Sequence, residues 1–347
     1  MKTLTILFLS VLILPSYGRI LTVSNMPNSP GQYTSMNDVI GAVISGAGDT
    51  IFVHGSPINY GTVILSRDNI VVIGTGHNPD KQFPYVTTFT EIFVTGNNIQ
   101  LIGITANGIQ FFRNNFAMRR CKILGTQSFP SSVDGVGSTS DQNLLFESNV
   151  FTSTSLNMQI QAYNPDDVVT IRNNVFSNTI SINVFSLITS CLISNNLFLK
   201  GPNAFGNINY ATISNNIFYG SSPFVPVAAT IRYQNNISFQ CLNNTFTTGP
   251  NIISTNNLED VDPQFVNYPG GGAVFSELHD YNLAASSPGK ATGSDGADRG
   301  VYGGFGTIFN MRGEPPISEI TAVTITSPTT VPSGGTLNIT VTSKRVH

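Results

Sequence analysis

Apolar and polar positions alternate through the middle of this chain in short bursts, and each burst breaks at a pair of asparagines. The phrase reads Ile171-Arg172-Asn173-Asn174-Val175-Phe176, then Ile193-Ser194-Asn195-Asn196-Leu197-Phe198 and Ile213-Ser214-Asn215-Asn216-Ile217-Phe218. A looser copy is Tyr233-Gln234-Asn235-Asn236-Ile237-Ser238, and a degraded one is Phe146-Glu147-Ser148-Asn149-Val150-Phe151. The second Asn falls at 149, 174, 196, 216 and 236, giving spacings of 25, 22, 20 and 20. A period of this size marks stacked units, each too small to bury its own apolar face. The alternation predicts strands with one face inward, and the Asn pair predicts a turn, because Asn tolerates positive φ and bonds nearby backbone. In register, one Asn per coil lies ~4.8 Å above the last, so Asn149, Asn174, Asn196, Asn216 and Asn236 are expected to form a hydrogen-bonded ladder. Mid-repeat Asn-Asn and the wealth of Val, Ile, Phe and Thr disfavour a solenoid of helices. The expected architecture is all-β, a parallel β-helix.

The flanks fit this reading. Ile20 to Val23 is a candidate first strand. Met36, Val39, Ile40, Val43 and Ile44 then keep helical spacing, Ser35 and Asp38 resemble a capping box, and Gly46 is the expected stop. That helix, followed by Gly48-Asp49-Thr50-Ile51-Phe52-Val53, Gly61 to Leu65 and Asn69-Ile70-Val71-Val72-Ile73-Gly74, resembles the opening of secreted right-handed parallel β-helix proteins of the pectate-lyase-like superfamily. The resemblance implies that the helix, within about residues 33–46, caps the open end of the solenoid, where an unpaired edge would otherwise stand. Asn98-Ile99-Gln100-Leu101-Ile102-Gly103 repeats the Asn69 phrase, and Met118 to Ile123 is a further coil with Cys121 in the Asn column. After Phe246 the repeat fades. Val261 to Val266, Asp280 to Leu283, Ser286-Ser287-Pro288 and the run Gly296 to Gly304 resemble the C-terminal closing segment of bacterial surface β-helix proteins, which implies a segment packed along the last coils over about 258–310. The β-helix domain is therefore expected over 19–310. Residues 311–347 read as a linker and a short Thr-rich β tail, similar to the first strands of a bacterial Ig-like module.

Composition narrows the function classes. Only 10% of the 347 residues are charged, against ~25% in an average domain, and the net charge is −3. No basic stripe is present, so nucleic acid is not an expected partner. Lys2, the apolar run Leu4 to Leu14 and Ser16-Tyr17-Gly18 read as a secretory signal over 1–18, and the run is too short for a bilayer span. A secreted or cell-surface location and a monomer are expected. The odd count of widely spaced Cys121, Cys191 and Cys241 gives no disulfide framework and no metal-ligand spacing, and predicts buried thiols. Calcium is the one cofactor that the Asp residues of the closing stretch bring to mind. Asp-Pro and Asp-Gly are ordinary turn chemistry, however, and no spacing fits a calcium loop, so no cofactor is expected.

Aligned on the second Asn, the coils share an outward column: Ile73, Ile102, Arg119, Glu147, Arg172, Ser194, Ser214 and Gln234. Arg119, Glu147 and Arg172 on three consecutive coils are the candidate site, with Arg113, Lys122, Asp134, Asp141, Asp166 and Asp167 on the same coils or their loops. The extra length between Cys121 and Asn149 falls in Gly125 to Asp141, expected as a loop walling a groove. The resemblance implies that such an outward face is where polysaccharide is cleaved. A lyase needs a base and cations for the sugar carboxylate, and a hydrolase needs two carboxylates at a set separation. The superfamily's polygalacturonases carry Asn-Thr-Asp, Asp-Asp, Gly-His-Gly and Arg-Ile-Lys. Here only Asp166-Asp167 matches, and Gly76-His77-Asn78 breaks the third motif. Charge alternation across neighbouring strands also stabilises a sheet without any chemistry. The expected function is binding of extracellular polysaccharide or cell-surface glycan without catalysis. A polysaccharide lyase or glycoside hydrolase and a purely structural surface protein are the alternatives.

Overall fold

The computed structural model describes residues 18–28, 31–43, 47–78, 85–112, 115–125, 131–135, 143–152, 157–162, 166–178, 182–186, 190–226, 229–270, 272–304, 309–325 and 333–345. The expected signal segment lies outside them apart from Gly18. Two long sheets, parallel throughout, run from Ile20 to Thr255, so the fold is a parallel β-helix. The first sheet has eleven strands, from Ile20–Val23 through Phe116–Arg119, Asn143–Glu147 and Val168–Arg172 to Ile252–Thr255. The second has thirteen and divides at Thr105–Phe111. The start of that strand pairs Lys122–Ile123, and its end pairs Ser131–Gly135. From there to Phe205–Ile208 each coil has three strands instead of two, and the last coils return to two.

This corrects one expectation. Gly125 to Asp141 is not simply a loop: Ser131–Gly135 is a strand, held between Thr105–Phe111 and Asn157–Ala162. Its single apolar residue, Val133, gave no alternation to read, and the neighbouring ladders impose the strand. Asp134 therefore stands on the second sheet. Residues 126–130 and 136–141, Asp141 included, and Arg113 lie outside the described residues.

The helix runs Met36–Ala42. Ser35 Oγ accepts from the Asp38 N–H at 3.2 Å and donates to Asp38 Oδ2 at 2.7 Å, so the Ser–Asp pair closes the first turn as a capping box does. Val43 leaves the helix at ψ 133°, one residue short of the expected Ile44, which with Gly46 lies outside the described residues. Met36, Val39 and Ile40 are buried against the first coils.

The two asparagines of each pair do different work. The first takes the left-handed conformation: φ is 53° at Asn173, 54° at Asn195, 58° at Asn215 and 53° at Asn235. The second turns inward and makes the ladder. Asn174 Oδ1 accepts from the Asn149 N–H and Nδ2 at 2.9 Å, and its own Nδ2 donates to Phe146 O at 2.9 Å. Asn196, Asn216 and Asn236 repeat the pattern, and Asn257 extends it by one coil. Cys121 begins the column by donating its N–H to Asn149 Oδ1. A second ladder, Asn69–Asn98–Asn115–Asn143, runs up the other end of the early strands. Inside, Phe151, Phe176, Phe198 and Phe218 stack face to face with centroids 4.7, 5.0 and 4.8 Å apart, following the strand spacing.

The closing segment runs back along the stack. Thr292 O meets Asn235, Ser294 meets Asn215, Gly300 donates its N–H to Asn215 O, and Val301 and Gly303 carbonyls accept from Asn173 Nδ2. Further on, Glu314 O accepts from Arg120 and Arg312 O from the His77 N–H, so the segment reaches the third coil. Glycine lets it lie this close: a Cβ on Gly304, where φ is 82°, would stand 2.6 Å from Asn195 Oδ1. The same segment covers the outward face of the second sheet. Val150, Val175, Leu197, Leu199, Ile217 and Ile237 pack there with Phe275, Tyr281, Leu283, Val301 and Phe309. Lys122 is ion-paired with Glu277 and lies over the Phe275 ring. Beyond it, Ser318–Ile325 and Ile339–Arg345 form an antiparallel hairpin.

Candidate functional site

Parallel pairing aligns Ile102, Arg119, Glu147, Arg172 and Ser194 across five successive strands of the first sheet. The Asn phrase fixes this register, because the residue before each turn must point outward if the residue before that is to reach the core. Arg119 Nε donates to Glu147 Oε2 at 3.0 Å. Arg172 donates to Glu147 Oε1 from Nε at 2.8 Å and from Nη2 at 2.7 Å. Arg119 Nη1 also donates to Gln100 Oε1 at 2.8 Å. The Glu147 side chain is 2% exposed, and each arginine side chain is 30% exposed. Both carboxylate oxygens are thus clamped and covered, while Arg119 Nη2 and Arg172 Nη1 stay outside these bonds. Two cations around one anion leave the column net positive.

Beside Arg172 the surface dips. A shallow groove of about 220 Å³ lies between Asn143–Glu147 and Val168–Arg172, lined by Asn143, Leu144, Leu145, Val168, Thr170 and Arg172. On the other side, Asn173 carries the closing segment.

The other candidates do not join this cluster. Asp166 is exposed, Asp167 is buried, and both precede Val168–Arg172. Asp167 stands five positions before Arg172, roughly 16 Å along a strand. Lys122 is taken up by Glu277. Among the described residues no group of three or more His, Cys, Asp or Glu is placed to hold a metal ion. Burial pushes the thiols of Cys121 and Cys191 up to about 12 and that of Cys241 up to about 11, so none is a thiolate nucleophile at neutral pH. No helix among the described residues is long and apolar enough to cross a membrane. Gln100 and the groove lining escaped the sequence reading. Gln100 shares its column with Ala117, Leu145 and Thr170, which carry no common chemical signal.

An exposed cross-strand ion pair contributes ~0.2–1 kcal/mol, but covering Glu147 changes the balance. Glu147→Ala leaves two adjacent guanidinium groups without their anion. The expected cost is about 2 kcal/mol, below the ~3–5 of a fully buried pair because the arginines keep water contact. Glu147→Gln, which retains one acceptor, should cost about half as much on hydrogen-bond magnitudes. Urea unfolding measures both, and a loss under ~0.5 kcal/mol for the alanine variant would reduce the column to a screened surface pair.

Fold and face together define a parallel β-helix protein with a preorganised arginine pair on its long outer sheet. No family model matches the chain, and no curated protein matches it. The solved structure of the pectin methylesterase from Aspergillus niger in deglycosylated form aligns with 81% of this chain and 96% of its own, at 15% sequence identity and a TM-score of 0.40.

Proposed function

We propose that the protein is secreted or displayed at the cell surface and binds extracellular polysaccharide on the outer face of its first sheet, without cleaving it. The observation that carries the reading is the state of Glu147. A general base or nucleophile must reach its substrate, and this carboxylate is 2% exposed with both oxygens held by arginine. The same clamp leaves an amino group of each guanidinium outside its bonds, and Arg172 lines a groove of amide, hydroxyl and aliphatic side chains, the mixture that grips sugar hydroxyls and ring faces. The location rests on the signal-like start of the chain, from Lys2 to Gly18.

Residues 19–347, incubated with neutral and acidic polysaccharides with and without calcium, are expected to co-elute with at least one polymer in size-exclusion chromatography and to leave its length unchanged. Shortening of any polymer overturns the binding-only reading. Failure to retain any of them removes the glycan as partner.

A further inference from the structure

We infer that cleavage of the Gly18–Arg19 bond turns the start of the first coil into a buried ion pair, with the new α-ammonium of Arg19 seated on the carboxylate of Asp49. The inference rests on the signal-like reading of residues 1–18, which also carries the proposed location. Two boundaries, read independently, fall at one bond. In the sequence, Ser16-Tyr17-Gly18 sets small residues before Arg19. In the fold, Arg19 is the first of the described residues whose backbone joins the stack. Its carbonyl accepts from the Thr50 N–H at 2.8 Å, and Ile20–Val23 then pairs with Thr50–Val53.

The receptor is already formed. Asp49 stands just before the second strand, and its side chain is 0% exposed. Its Oδ1 accepts from the Arg19 N–H at 2.8 Å, and its Oδ2 accepts from Arg19 Nη2 at 2.6 Å. Arg19 Nε adds a longer bond to Oδ1 at 3.3 Å. The Arg19 side chain is 42% exposed, so its guanidinium is shared with water. Its Nη2 also donates at 2.7 Å to the carbonyl of Ala42, the last residue of the capping helix. That end of a helix carries partial negative charge, so one guanidinium serves both the carboxylate and the helix.

A carboxylate withdrawn from water needs positive charge held close to it. The backbone atom at Asp49 Oδ1 is the Arg19 nitrogen, the atom that hydrolysis charges. As the C–N bond breaks, the water oxygen joins the Gly18 carbonyl carbon, and both water protons end on the Arg19 nitrogen. Gly18 leaves as a carboxylate and Arg19 keeps an ammonium. A neutral N–H···O bond becomes charge-assisted at the same position. Processing thus does more than remove a leader: it ties the first coil and its capping helix through two cations on one anion.

The test has two parts. The full chain from Met1, expressed in a secreting bacterial host, is expected to yield a protein whose first residue is Arg19 by mass spectrometry of its N-terminal peptide. A processed start elsewhere overturns the inference and leaves the secreted location standing. An unprocessed chain overturns both. In the second part, chains beginning at Arg19 and at Gly18 are released from a removable N-terminal fusion, each with Asp49 and with Asp49→Asn. Acylation of the α-amine is followed against pH. A nearby opposite charge raises the pKa of an α-amine above its ordinary value of about 7.7–8.0. Half-maximal labelling of the Arg19 start is therefore expected about one pH unit or more above that of the Gly18 start, and Asp49→Asn should remove the difference. Tyr33 is the other titratable group whose charge reaches Arg19, and it is common to all four chains. Because the folded amine's pKa is raised, its contribution is fully present below about pH 7.7 and is lost as pH rises through the folded value. The Arg19 start should accordingly melt about 2–4 °C above the Gly18 start at neutral pH, and the gap should close as the amine titrates. The two starts are compared with Asp49 intact, so the result stands even where Asp49→Asn fails to fold. Equal labelling curves for the two starts, or a shift that survives Asp49→Asn, overturns the inference and leaves the location standing.

Discussion

Asn196→Ala is expected to cost about 3–5 kcal/mol, near the upper end for a single substitution. The Asn196 amide is fully buried in mid-ladder. Its Oδ1 accepts from the Asn174 N–H and Nδ2, both at 3.0 Å, and its Nδ2 donates to Ile171 O at 2.9 Å and Asn216 Oδ1 at 3.0 Å. Alanine deletes all four bonds. The Asn174 N–H and the Ile171 carbonyl are then stranded where water does not reach, at ~1–3 kcal/mol for each buried orphan. Asn257 offers the internal comparison. It ends the ladder, donates to Ser254 Oγ at 2.9 Å and is partly exposed, so water replaces what Asn257→Ala removes, and about 1 kcal/mol is expected. Chemical denaturation gives the ranking. Hydrogen exchange is sharper, since the Asn174 amide should lose protection in the Asn196 variant ahead of amides in distant coils. Equal costs at Asn196 and Asn257 would mean that the ladder's interior is no drier than its end.

That contrast also explains what could be read from the chain. The ladder and the Arg119–Glu147–Arg172 column were legible because one phrase, repeated at near-constant spacing, fixes the register of every strand it touches. Asn256-Asn257-Leu258 belongs to the same series, 21 residues after Asn236, yet the surrounding Ile253-Ser254-Thr255 has lost the inward apolar position. The last coil has none beyond it, so selection for an inward face relaxes there and the pattern fades before the structure does. The split of roles within each Asn pair was invisible for a different reason. The left-handed φ is a backbone property of the first Asn, and its side chain answers to Thr292, Ser294, Val301 and Gly303, which lie 57 to 130 residues away. No local pattern encodes a partner at that distance. The groove beside Arg172 is likewise a product of neighbouring strands, and Asp166-Asp167, conspicuous as a motif, lies at the wrong end of its strand to join the arginine–glutamate cluster.

Ending the chain at Gln264 is expected to cost more than any point substitution and to leave a protein that does not stay folded and monomeric. Val150, Val175, Leu197, Leu199, Ile217 and Ile237 form an outward apolar stripe on the second sheet, each essentially excluded from solvent by residues beyond 264. At ~1.5–3 kcal/mol per buried aliphatic side chain, uncovering six forfeits about 10 kcal/mol, comparable with the whole stability of an ordinary domain. The stripe is also contiguous, and a strip of Val, Leu and Ile on a parallel sheet is an aggregation surface. The turn row loses its partners at the same time, since Asn173, Asn195, Asn215 and Asn235 all donate into the departing segment. The contrast is a chain ended at Ile317. It retains Val301, Phe309 and the contact of Glu314 with Arg120, and loses only a hairpin whose Val323 and Val341 are already 61% and 56% exposed. A change under ~1 kcal/mol is expected there, as for other losses of exposed side chains. Analytical size exclusion and thermal unfolding of the two truncations separate the cases. A folded, monomeric chain ending at Gln264 would mean that the coils hold by ladder and core alone, and that the closing segment covers the stripe without stabilising it.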